Sequence, residues 1–269
     1  MIAYQDTHCH LNLNQFENDL EQVIYRAQQE GVDRILVPGI DLETSRKAVE
    51  ISEKYEFVYA AVGVHPNSAS TWQSNSIENL KELIGHPKVV AIGEIGLDYY
   101  RNYVEPALQK EILAAQMALA AESSKPLVIH NRNALPDLMP LLEEWVKSLQ
   151  RAGNKLANKP GVLHSYEGDV VAANQAIQLG FYIGVAGPVT FNNAKERQKI
   201  TREIPSQAMI AETDSPFLAP HPHRGQRNEP AWVSLVVQKI AKLKALSLEE
   251  IANTLTNNGN QLFGWRSSD

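Results

Sequence analysis

The chain has 269 residues, 43% of them hydrophobic, and a formal net charge of -6 at pH 7. A chain of this length can bury a large core, and α/β barrels of this size commonly form one domain, so we expect a single domain over residues 1–269. The acidic balance argues against broad electrostatic capture of duplex nucleic acid, although bound divalent cations can still make one cleft attractive to a nucleic-acid substrate.

Eight short apolar runs recur along the chain, and each has the length and composition of a buried strand. In chain order, these predicted strands are Ile2–Thr7, Asp33–Pro38, Phe57–Val64, Val89–Glu94, Leu127–His130, Gly161–His164, Phe181–Val185 and Met209–Glu212. Segments of helical period lie between them. Such alternation predicts a parallel sheet, either closed as a barrel or open and doubly wound.

Apolar stripes at helical spacing predict helices between these strands. The stripes are Phe16/Leu20/Val23/Ala27, Ile77/Leu80/Ile84, Leu108/Ile112/Ala115/Leu119, Leu138/Leu141/Leu142/Trp145 and Val233/Val236/Val237/Ile240. Asn14 and Glu17 form a capping pair that predicts the start of the first helix. Ser247 and Glu250 predict a capping box for a last helix that packs outside the sheet. The polar segment Lys147–Pro160 is predicted to be a long loop.

Six side chains that can bind metal ions or carry protons follow the predicted strands one, four, five, six and eight. They are His8, His10, Glu94, His130, His164 and Asp214. Along the first strand, Asp6, His8 and His10 fall on one face, so the two imidazoles converge. An open sheet concentrates its site at one switch point, whereas a barrel brings all strand ends to one mouth. The sequence therefore predicts an α/β fold, a (β/α)8 TIM barrel with an extra C-terminal helix, and a metal site at its mouth.

The single cysteine, Cys9, excludes an internal disulfide framework and fits a reducing compartment. It faces away from the two histidines, which predicts a packing role rather than a nucleophilic one. No apolar run approaches membrane-spanning length, and the N-terminus lacks a basic segment followed by a hydrophobic core. We expect a cytoplasmic protein with no membrane association and no obligate protein partner.

Longer motifs surround the six candidate residues. They are Asp6-Thr7-His8-Cys9-His10, Gly63-Val64-His65-Pro66, Gly93-Glu94-Ile95-Gly96-Leu97-Asp98, Ile129-His130-Asn131-Arg132, Glu212-Thr213-Asp214-Ser215-Pro216 and Arg224-Gly225-Gln226-Arg227-Asn228-Glu229-Pro230. Over nearly the whole chain, they resemble the TatD-related, metal-dependent deoxyribonucleases of the amidohydrolase superfamily. The resemblance implies one metal ion held by His8, His10, Glu94 and Asp214. It also implies a second ion, held by His130 and His164 and bridged to the first by Glu94.

Two divalent ions suit phosphodiester hydrolysis, because they can activate a water, neutralise phosphate oxygens and stabilise the leaving alkoxide. Imidazole and carboxylate ligands admit Zn2+, Mn2+, Fe2+ or Co2+, and the resemblance adds Mg2+. Glu94 is predicted to set the spacing of the two ions. Asp214 is predicted to take the proton of the attacking water, with a helix cap as the alternative. Asp6 is predicted to orient a ligand histidine.

Substrate-binding residues are expected on the loops around the mouth. Arg224 and Arg227 can grip phosphates with planar guanidinium groups, although Glu229 is an alternative partner for an arginine. His65 can contact a phosphate or hold its own loop. Stacking on unpaired bases, with simple packing as the alternative, is predicted for three tyrosines: Tyr99, Tyr100 and Tyr166.

The function that these residues favour is a metal-dependent deoxyribonuclease that trims single-stranded DNA from an end. One alternative is another hydrolase of the superfamily, acting on an amide, lactone or small phosphoester, since fold and metals do not fix the substrate. Glu94 favours the nuclease, because many amidohydrolases bridge their metals with a carboxylated lysine there. A second alternative is a non-catalytic nucleic-acid-binding or metal-storage protein, which would have no use for a base such as Asp214.

Overall fold

In a computed structural model, which describes residues 2–101 and 103–265, eight parallel strands pair in sequence order. They are β1 (Tyr4–Asp6), β2 (Val32–Pro38), β3 (Val58–Val62), β4 (Val89–Asp98), β5 (Leu127–Arg132), β6 (Gly161–Leu163), β7 (Tyr182–Val185) and β8 (Met209–Ala211). All eight predicted strands are present. β4 and β5 continue beyond their predicted ends, and Asp98 pairs with Arg132 at their last position.

Main-chain hydrogen bonds between the two ends of this sheet complete the barrel. The Asp214 N–H donates to the His8 carbonyl at 2.9 Å. The His10 N–H donates to the Ser215 carbonyl at 2.7 Å, and Cys9 forms a parallel bridge with Ser215. The predicted (β/α)8 barrel is therefore confirmed, and the segments that close it also carry three candidate site residues.

Helices alternate with the strands on the outside of the barrel. They are α1 (Leu20–Gln29), α2 (Leu42–Lys54), α3 (Ser76–Ile84), α4 (Pro106–Ser123), α5 (Leu135–Arg151), α6 (Val170–Gln178), α7 (Lys195–Glu203), α8 (Val233–Lys244) and α9 (Leu248–Phe263). The predicted stripes lie on α1, α3, α4, α5 and α8, except that Phe16 of the first stripe precedes α1. Among the described residues, no helix is both long and apolar enough to cross a membrane.

Helix capping follows the sequence pattern at α9 but not at α1. Asn14–Phe16 forms a separate 3₁₀ turn before α1 begins, so the predicted cap at Asn14 and Glu17 is wrong. The Glu17 N–H donates to the Asn14 carbonyl at 3.2 Å, a local turn bond that replaces the cap. At α9, the Ser247 hydroxyl accepts a hydrogen bond from the Glu250 N–H at 3.1 Å, which is one of the two bonds of the predicted capping box.

The segment predicted as a long loop, Lys147–Pro160, is largely helical. α5 continues to Arg151, and a 3₁₀ helix covers Lys155–Asn158. The apolar stripe of α5 extends through Val146 and Leu149, which are buried. Burial of that stripe outweighs the polar composition on which the loop prediction rested.

The C-terminal end of the chain contributes to the interior of the barrel. One buried cluster joins strand residues to that end: Leu36, Tyr59, Val128, Val162, Tyr182, Ile210, Leu262, Phe263 and Trp265. The Trp265 ring centroid lies 4.6 Å from that of Tyr59, and its indole N–H donates to Gln5 Oε1 at 3.2 Å. Ile251 and Leu255 pack in the outer cluster, as predicted. The last turn of α9 differs from the prediction, because it covers the end of the barrel where the strands begin.

Candidate metal centre

The six predicted ligands meet at the end of the barrel where the strands finish. Their ligand atoms form overlapping groups in which all atoms lie within 4.8 Å of one another, and two of these groups are His8/His10/Glu94 and His8/His164/Asp214. The side chains come from five different strands or strand ends. Only closure of the sheet brings such distant positions to one point.

Glu94 lies between two sets of imidazoles and turns a different carboxylate oxygen to each. Its Oε2 is 3.4 Å from His8 Nε2 and 3.5 Å from His10 Nε2. Its Oε1 is 2.8 Å from His130 Nδ1 and 2.8 Å from His164 Nε2. The side chain is only 4% exposed, so imidazoles rather than water surround its carboxylate. A carboxylate in this position can contact two ions at once.

Burial and neighbouring groups set the charges in this cluster. Burial alone would raise the pKa of Glu94, but the surrounding imidazoles, His164 first, hold it well below its usual range. The pKa of Asp214 is also lowered, because the hydrogen bond with His10 and nearby imidazoles outweigh the effect of burial. Burial lowers the pKa of His8, and His164 adds to this effect. Ionised carboxylates thus face a neutral imidazole at His8.

The donor atoms fit a bound cation. His8 Nε2 and His10 Nε2 lie 3.1 Å apart, and each faces Glu94 Oε2. Asp214 Oδ1 approaches the same nitrogens, at 3.9 Å from His8 and 3.6 Å from His10. Two imidazole nitrogens and two carboxylate oxygens at this spacing suit a divalent cation, which can accept a lone pair from all four. The cluster can therefore hold metal ions, and its mixed imidazole and carboxylate donors admit several first-row metals.

His65, a predicted substrate contact, joins this cluster. Its Nε2 is 3.5 Å from Glu94 Oε1, and His65, Glu94 and His130 form a third group of possible ligands. Its Nδ1 accepts a hydrogen bond from the Asn67 N–H at 3.0 Å, which holds the loop after β3. Burial and the neighbouring His130 lower the pKa of His65 to about 4. A neutral imidazole with its other nitrogen occupied places its proton on Nε2, toward the site.

Asp214 adopts a backbone conformation that few non-glycine residues use. Its φ is +58°, in the left-handed region. Such strain persists where surrounding contacts fix it, and it is common at functional sites. The carboxylate faces the two histidines of the β1 segment, which disfavours the alternative of a helix cap.

The hydrogen bonds of the Asp6 carboxylate are with main-chain N–H groups and a hydroxyl rather than with an imidazole. Its carboxylate accepts hydrogen bonds from Thr213 N–H at 2.9 Å, Thr213 Oγ1 at 2.6 Å and His8 N–H at 3.3 Å. Its hydrogen bond to a predicted ligand is with the His8 main-chain N–H, so an orienting role for Asp6 stays a prediction. Thr213 Oγ1 is 2.7 Å from Ser215 Oγ, which is 3.0 Å from Cys9 Sγ. We call Asp6, Thr213, Ser215 and Cys9 the floor network.

Glu212 is a buried carboxylate that sequence reasoning missed. Its Oε1 is 3.7 Å from His164 Nδ1 and accepts a hydrogen bond from the Ser165 N–H. Burial would lower the pKa of His164, but Glu94 and Glu212 together raise it well above its usual range. Gly184 provides the space, since a Cβ there would lie 2.7 Å from Glu212 Oε2. An available signal was the position of Glu212 at the end of the predicted eighth strand, two residues before Asp214.

Asp98, at the end of β4, is a second carboxylate that sequence reasoning left without a role. Its Oδ2 lies 3.3 Å from His130 Nε2 and accepts a hydrogen bond from Asn67 Nδ2 at 3.0 Å. Its Oδ1 accepts from the main-chain N–H groups of Tyr100, at 2.9 Å, and Arg101, at 3.0 Å. Burial opposes the ionised form, but the contact with His130 and these hydrogen bonds lower the pKa of Asp98. Asp98 therefore links a site imidazole to the loop after β4.

The three tyrosines predicted to stack on bases have different surroundings. Tyr166 is buried, and its hydroxyl donates to the Asp169 carbonyl at 3.0 Å, so the stacking prediction is wrong for this residue. Tyr99 is half-buried, and its hydroxyl donates to Asp137 Oδ2 at 2.9 Å. Tyr100 is 57% exposed and remains available to a substrate.

The two arginines predicted to grip phosphates also differ. Arg227 forms a bidentate pair with Asp19, at 2.8 and 2.6 Å, which occupies the guanidinium edge that a phosphate would need. The phosphate role of Arg227 stays a prediction that requires displacement of Asp19, and Glu229 is a more distant partner at 3.6 Å. Arg224 instead lies with its guanidinium 4.5 Å over the Phe191 ring and is exposed.

Comparison with known proteins places this site in a family. The family described as TatD related DNase matches residues 5–264. A Bacillus subtilis (strain 168) protein described as "Uncharacterized metal-dependent hydrolase YabD" is 44% identical over 258 residues, which are 96% of this chain and 98% of that protein. A Cronobacter sakazakii protein described as "3'-5' ssDNA/RNA exonuclease TatD" is 34% identical over 264 residues, 96% of this chain and 97% of that protein.

A solved structure agrees with these relatives. The crystal structure of YJJV, a TatD homologue from Escherichia coli K12, superposes with a TM-score of 0.90 at 32% identity. The match covers 98% of this chain and 99% of that one. Fold, donor cluster and relatives therefore agree, and this chain belongs to the TatD-related DNase family of metal-dependent hydrolases.

Proposed function

We propose that this protein is a deoxyribonuclease that hydrolyses phosphodiester bonds from the end of a single DNA strand, with two divalent metal ions. The observation that carries the proposal is the position of Glu94, with Oε2 facing His8 and His10 and Oε1 facing His130 and His164. The relative from Cronobacter sakazakii, described as a 3'-5' ssDNA/RNA exonuclease, supports a nucleic-acid substrate.

In this proposal, His8, His10, Glu94 and Asp214 hold one ion, and Glu94, His130 and His164 hold the other. When bound, the two ions supply neutralisation of the phosphate charge and acidification of a water. Glu212 and Asp98 orient the imidazoles of His164 and His130 from outside the cluster, at 3.7 and 3.3 Å.

Asp214 is the proposed general base. Its side chain is 13% exposed, against 4% for Glu94, so a water can reach its carboxylate more easily. The lowered pKa keeps that carboxylate ionised and able to accept a proton at neutral pH. Its fixed main chain aims the carboxylate into the donor cluster without further rearrangement.

An exposed aromatic side chain beside the cluster supports a single-stranded substrate. Phe217 is 46% exposed, and its ring centroid lies 6.1 Å from that of His10. An unpaired base can stack on such a ring, at about 1 to 3 kcal/mol per base, whereas a paired base must first leave its duplex. The net charge of -6 gives the protein no overall attraction for a duplex backbone.

The test uses purified protein, loaded with a panel of divalent metals, on end-labelled single- and double-stranded DNA and RNA. We expect stepwise shortening of single-stranded DNA, no reaction in EDTA and poor cleavage of blunt duplex. The 3' end is the first end to examine, given the polarity in the relative's description. A covalently closed single-stranded circle provides the control. Cleavage of the circle as fast as the linear strand would refute end-dependence, and hydrolysis of small esters with inert nucleic acids would refute the nuclease.

A further inference from the structure

We propose that Arg132 and Tyr100 form a second phosphate-binding site, which holds the phosphate next to the scissile one. This proposal rests on the proposed function, because it needs a nucleic-acid strand in the barrel mouth. Arg132 contributes the charge and the hydrogen-bond donors. The Tyr100 ring packs against the flat face of that guanidinium.

The strand geometry places Arg132 beside the metal centre. Arg132 is the last residue of β5 and stands two positions after His130. Both side chains are half-buried, whereas Asn131 between them is buried, so His130 and Arg132 share the face that opens to the mouth. Two residues span about 6.6 Å of a parallel strand at about 3.3 Å each. Arg132 therefore lies one short step beyond the ligand cluster, on the scale of one nucleotide.

The guanidinium is stacked, and its donors are not used by a carboxylate. Its Cζ lies 4.0 Å above the ring centre of Tyr100, which is 57% exposed. Stacking uses the flat face of a guanidinium and leaves its edge N–H groups pointing outward. Other arginines of the described chain differ, since Arg26, Arg197 and Arg227 each bind a carboxylate. Among the described residues, no carboxylate pairs with Arg132.

The tyrosine platform is fixed from the metal centre. Asp98 Oδ1 accepts the Tyr100 main-chain N–H at 2.9 Å, while Asp98 Oδ2 lies 3.3 Å from His130 Nε2. Asp98 also pairs with Arg132 in the β4–β5 register. One buried carboxylate thus sets the distance between a site imidazole and the stacked arginine. Such preorganisation lowers the entropy that an exposed arginine would lose on binding.

A phosphate is the ligand that this arrangement recognises best. A planar guanidinium edge matches two oxygens of a phosphate, and the paired charges strengthen both hydrogen bonds. A base edge would leave the positive charge without a counterion. The only anions that a nucleic-acid strand brings to this position are its phosphates, and after the scissile one the next phosphate is the nearest.

Binding is measured by fluorescence anisotropy with a labelled single-stranded oligonucleotide, with metal bound and in an Asp214→Asn background that prevents turnover. We expect Arg132→Ala to weaken binding about 10-fold, the usual scale of a lost charge-assisted hydrogen-bond pair. Its salt slope should fall by about 0.7, the value for one phosphate contact on a single strand. Tyr100→Leu should weaken binding less than Arg132→Ala does. Tyr100→Phe, which keeps the ring, should weaken binding least. Arg202→Ala, on the exposed last turn of α7, controls for net charge.

A matched oligonucleotide identifies the phosphate. One copy carries a neutral methylphosphonate at the linkage next to the scissile bond, and the other is unmodified. We expect the neutral linkage to weaken binding about 10-fold with Arg132 present and to have little effect in Arg132→Ala, because both changes remove the same contact. Equal losses on both oligonucleotides would overturn the proposal. If metal-loaded wild type cleaves no nucleic acid, the proposed function fails; if it cleaves and the losses are equal, only the second phosphate site fails.

Discussion

The floor and the rim of the barrel mouth hold their side chains by different physical means. In the floor network, Asp6, Cys9, Thr213 and Ser215 are all 0% exposed and hydrogen-bonded to one another. The rim, which we define as Tyr100, Arg132, Phe217 and Arg224, consists of half-buried or exposed side chains on strand ends and loops. Two of its contacts are guanidinium groups stacked on rings, those of Arg132 on Tyr100 and Arg224 on Phe191.

This difference predicts different consequences of substitution. A buried polar group that loses its partner costs stability, because water cannot replace the lost hydrogen bond. An exposed stacked pair is solvated on its free side, so its loss costs little folding free energy and mainly affects a ligand. Floor variants should therefore change stability, metal content and activity together, while rim variants should change substrate binding alone.

The largest effect is expected from Glu94→Ala, because Glu94 lies between the two sets of imidazoles in the metal centre. Removing the carboxylate between the two imidazole sets should release metal from both sides and abolish turnover. The loss should exceed the about 10²- to 10⁴-fold that a missing general base costs. Metal content by mass spectrometry and hydrolysis of labelled single-stranded DNA measure the two effects. Glu143→Ala, an exposed glutamate on α5, is the matched control. Full metal content in the Glu94 variant would contradict a bridging role.

Asp214→Asn should separate chemistry from metal binding. Asparagine tolerates the left-handed conformation of this residue, whose φ is +58°, and keeps an oxygen that can face the cluster. It lacks the basicity that proton transfer needs, so kcat should fall about 10²- to 10⁴-fold. Metal content should stay near that of wild type. Near-normal hydrolysis by this variant would remove Asp214 from the mechanism.

Thr213→Val tests the floor network itself. Valine matches the shape of threonine but leaves Asp6 Oδ2 without the donor that now lies at 2.6 Å, and the Ser215 N–H without its acceptor at 3.1 Å. The free energy of unfolding should fall by at least about 1 to 3 kcal/mol, the cost of one unsatisfied buried group. Urea unfolding measures it, with exposed Thr71→Val as the control, expected within about 0.5 kcal/mol of wild type. Arg132→Ala, on the rim, should also stay within that range, and a larger loss there would break the distinction between floor and rim.

The metal centre was easier to predict from sequence than the side chains on the loops around it. Strand positions follow from short β-branched runs, and the alternation of side chains along a strand is enough to place His8 and His10 on one face. Closure of a barrel then brings residues such as Glu94 and His130 together wherever they fall in the chain. The alternation of side chains along each strand and the order of strands and helices are both visible in the sequence pattern, so the metal centre follows from them.

The partners of side chains on the loops around the mouth depend on loop conformations that no periodicity describes. Arg227 and Asp19 are 208 positions apart, and their pairing requires the loop after β8 to lie against the start of α1. Tyr166 follows a strand as Tyr100 does, yet it turns inward to the Asp169 carbonyl while Tyr100 stays exposed. Residue type gives the chemistry of a loop side chain. Its direction is set by tertiary contacts.

The smallest effect is expected from Arg227→Ala. This variant tests whether the arginine binds substrate or only stabilises the fold through its ion pair with Asp19. Its pair with Asp19 is partly exposed, so the free energy of unfolding at pH 7 should fall by under about 1 kcal/mol. The hydrogen bond with Arg227 lowers the pKa of Asp19, so the pair stabilises the protein above the unfolded pKa of about 3.9 and loses this effect as pH falls through the folded pKa. Wild type and variant should therefore converge in stability as the pH falls below the unfolded pKa and through the lowered folded pKa. Salt dependence of DNA binding should match wild type, whereas Arg224→Ala should lower the slope by about 0.7. A reduced slope in the Arg227 variant would show that a phosphate displaces Asp19 in the complex.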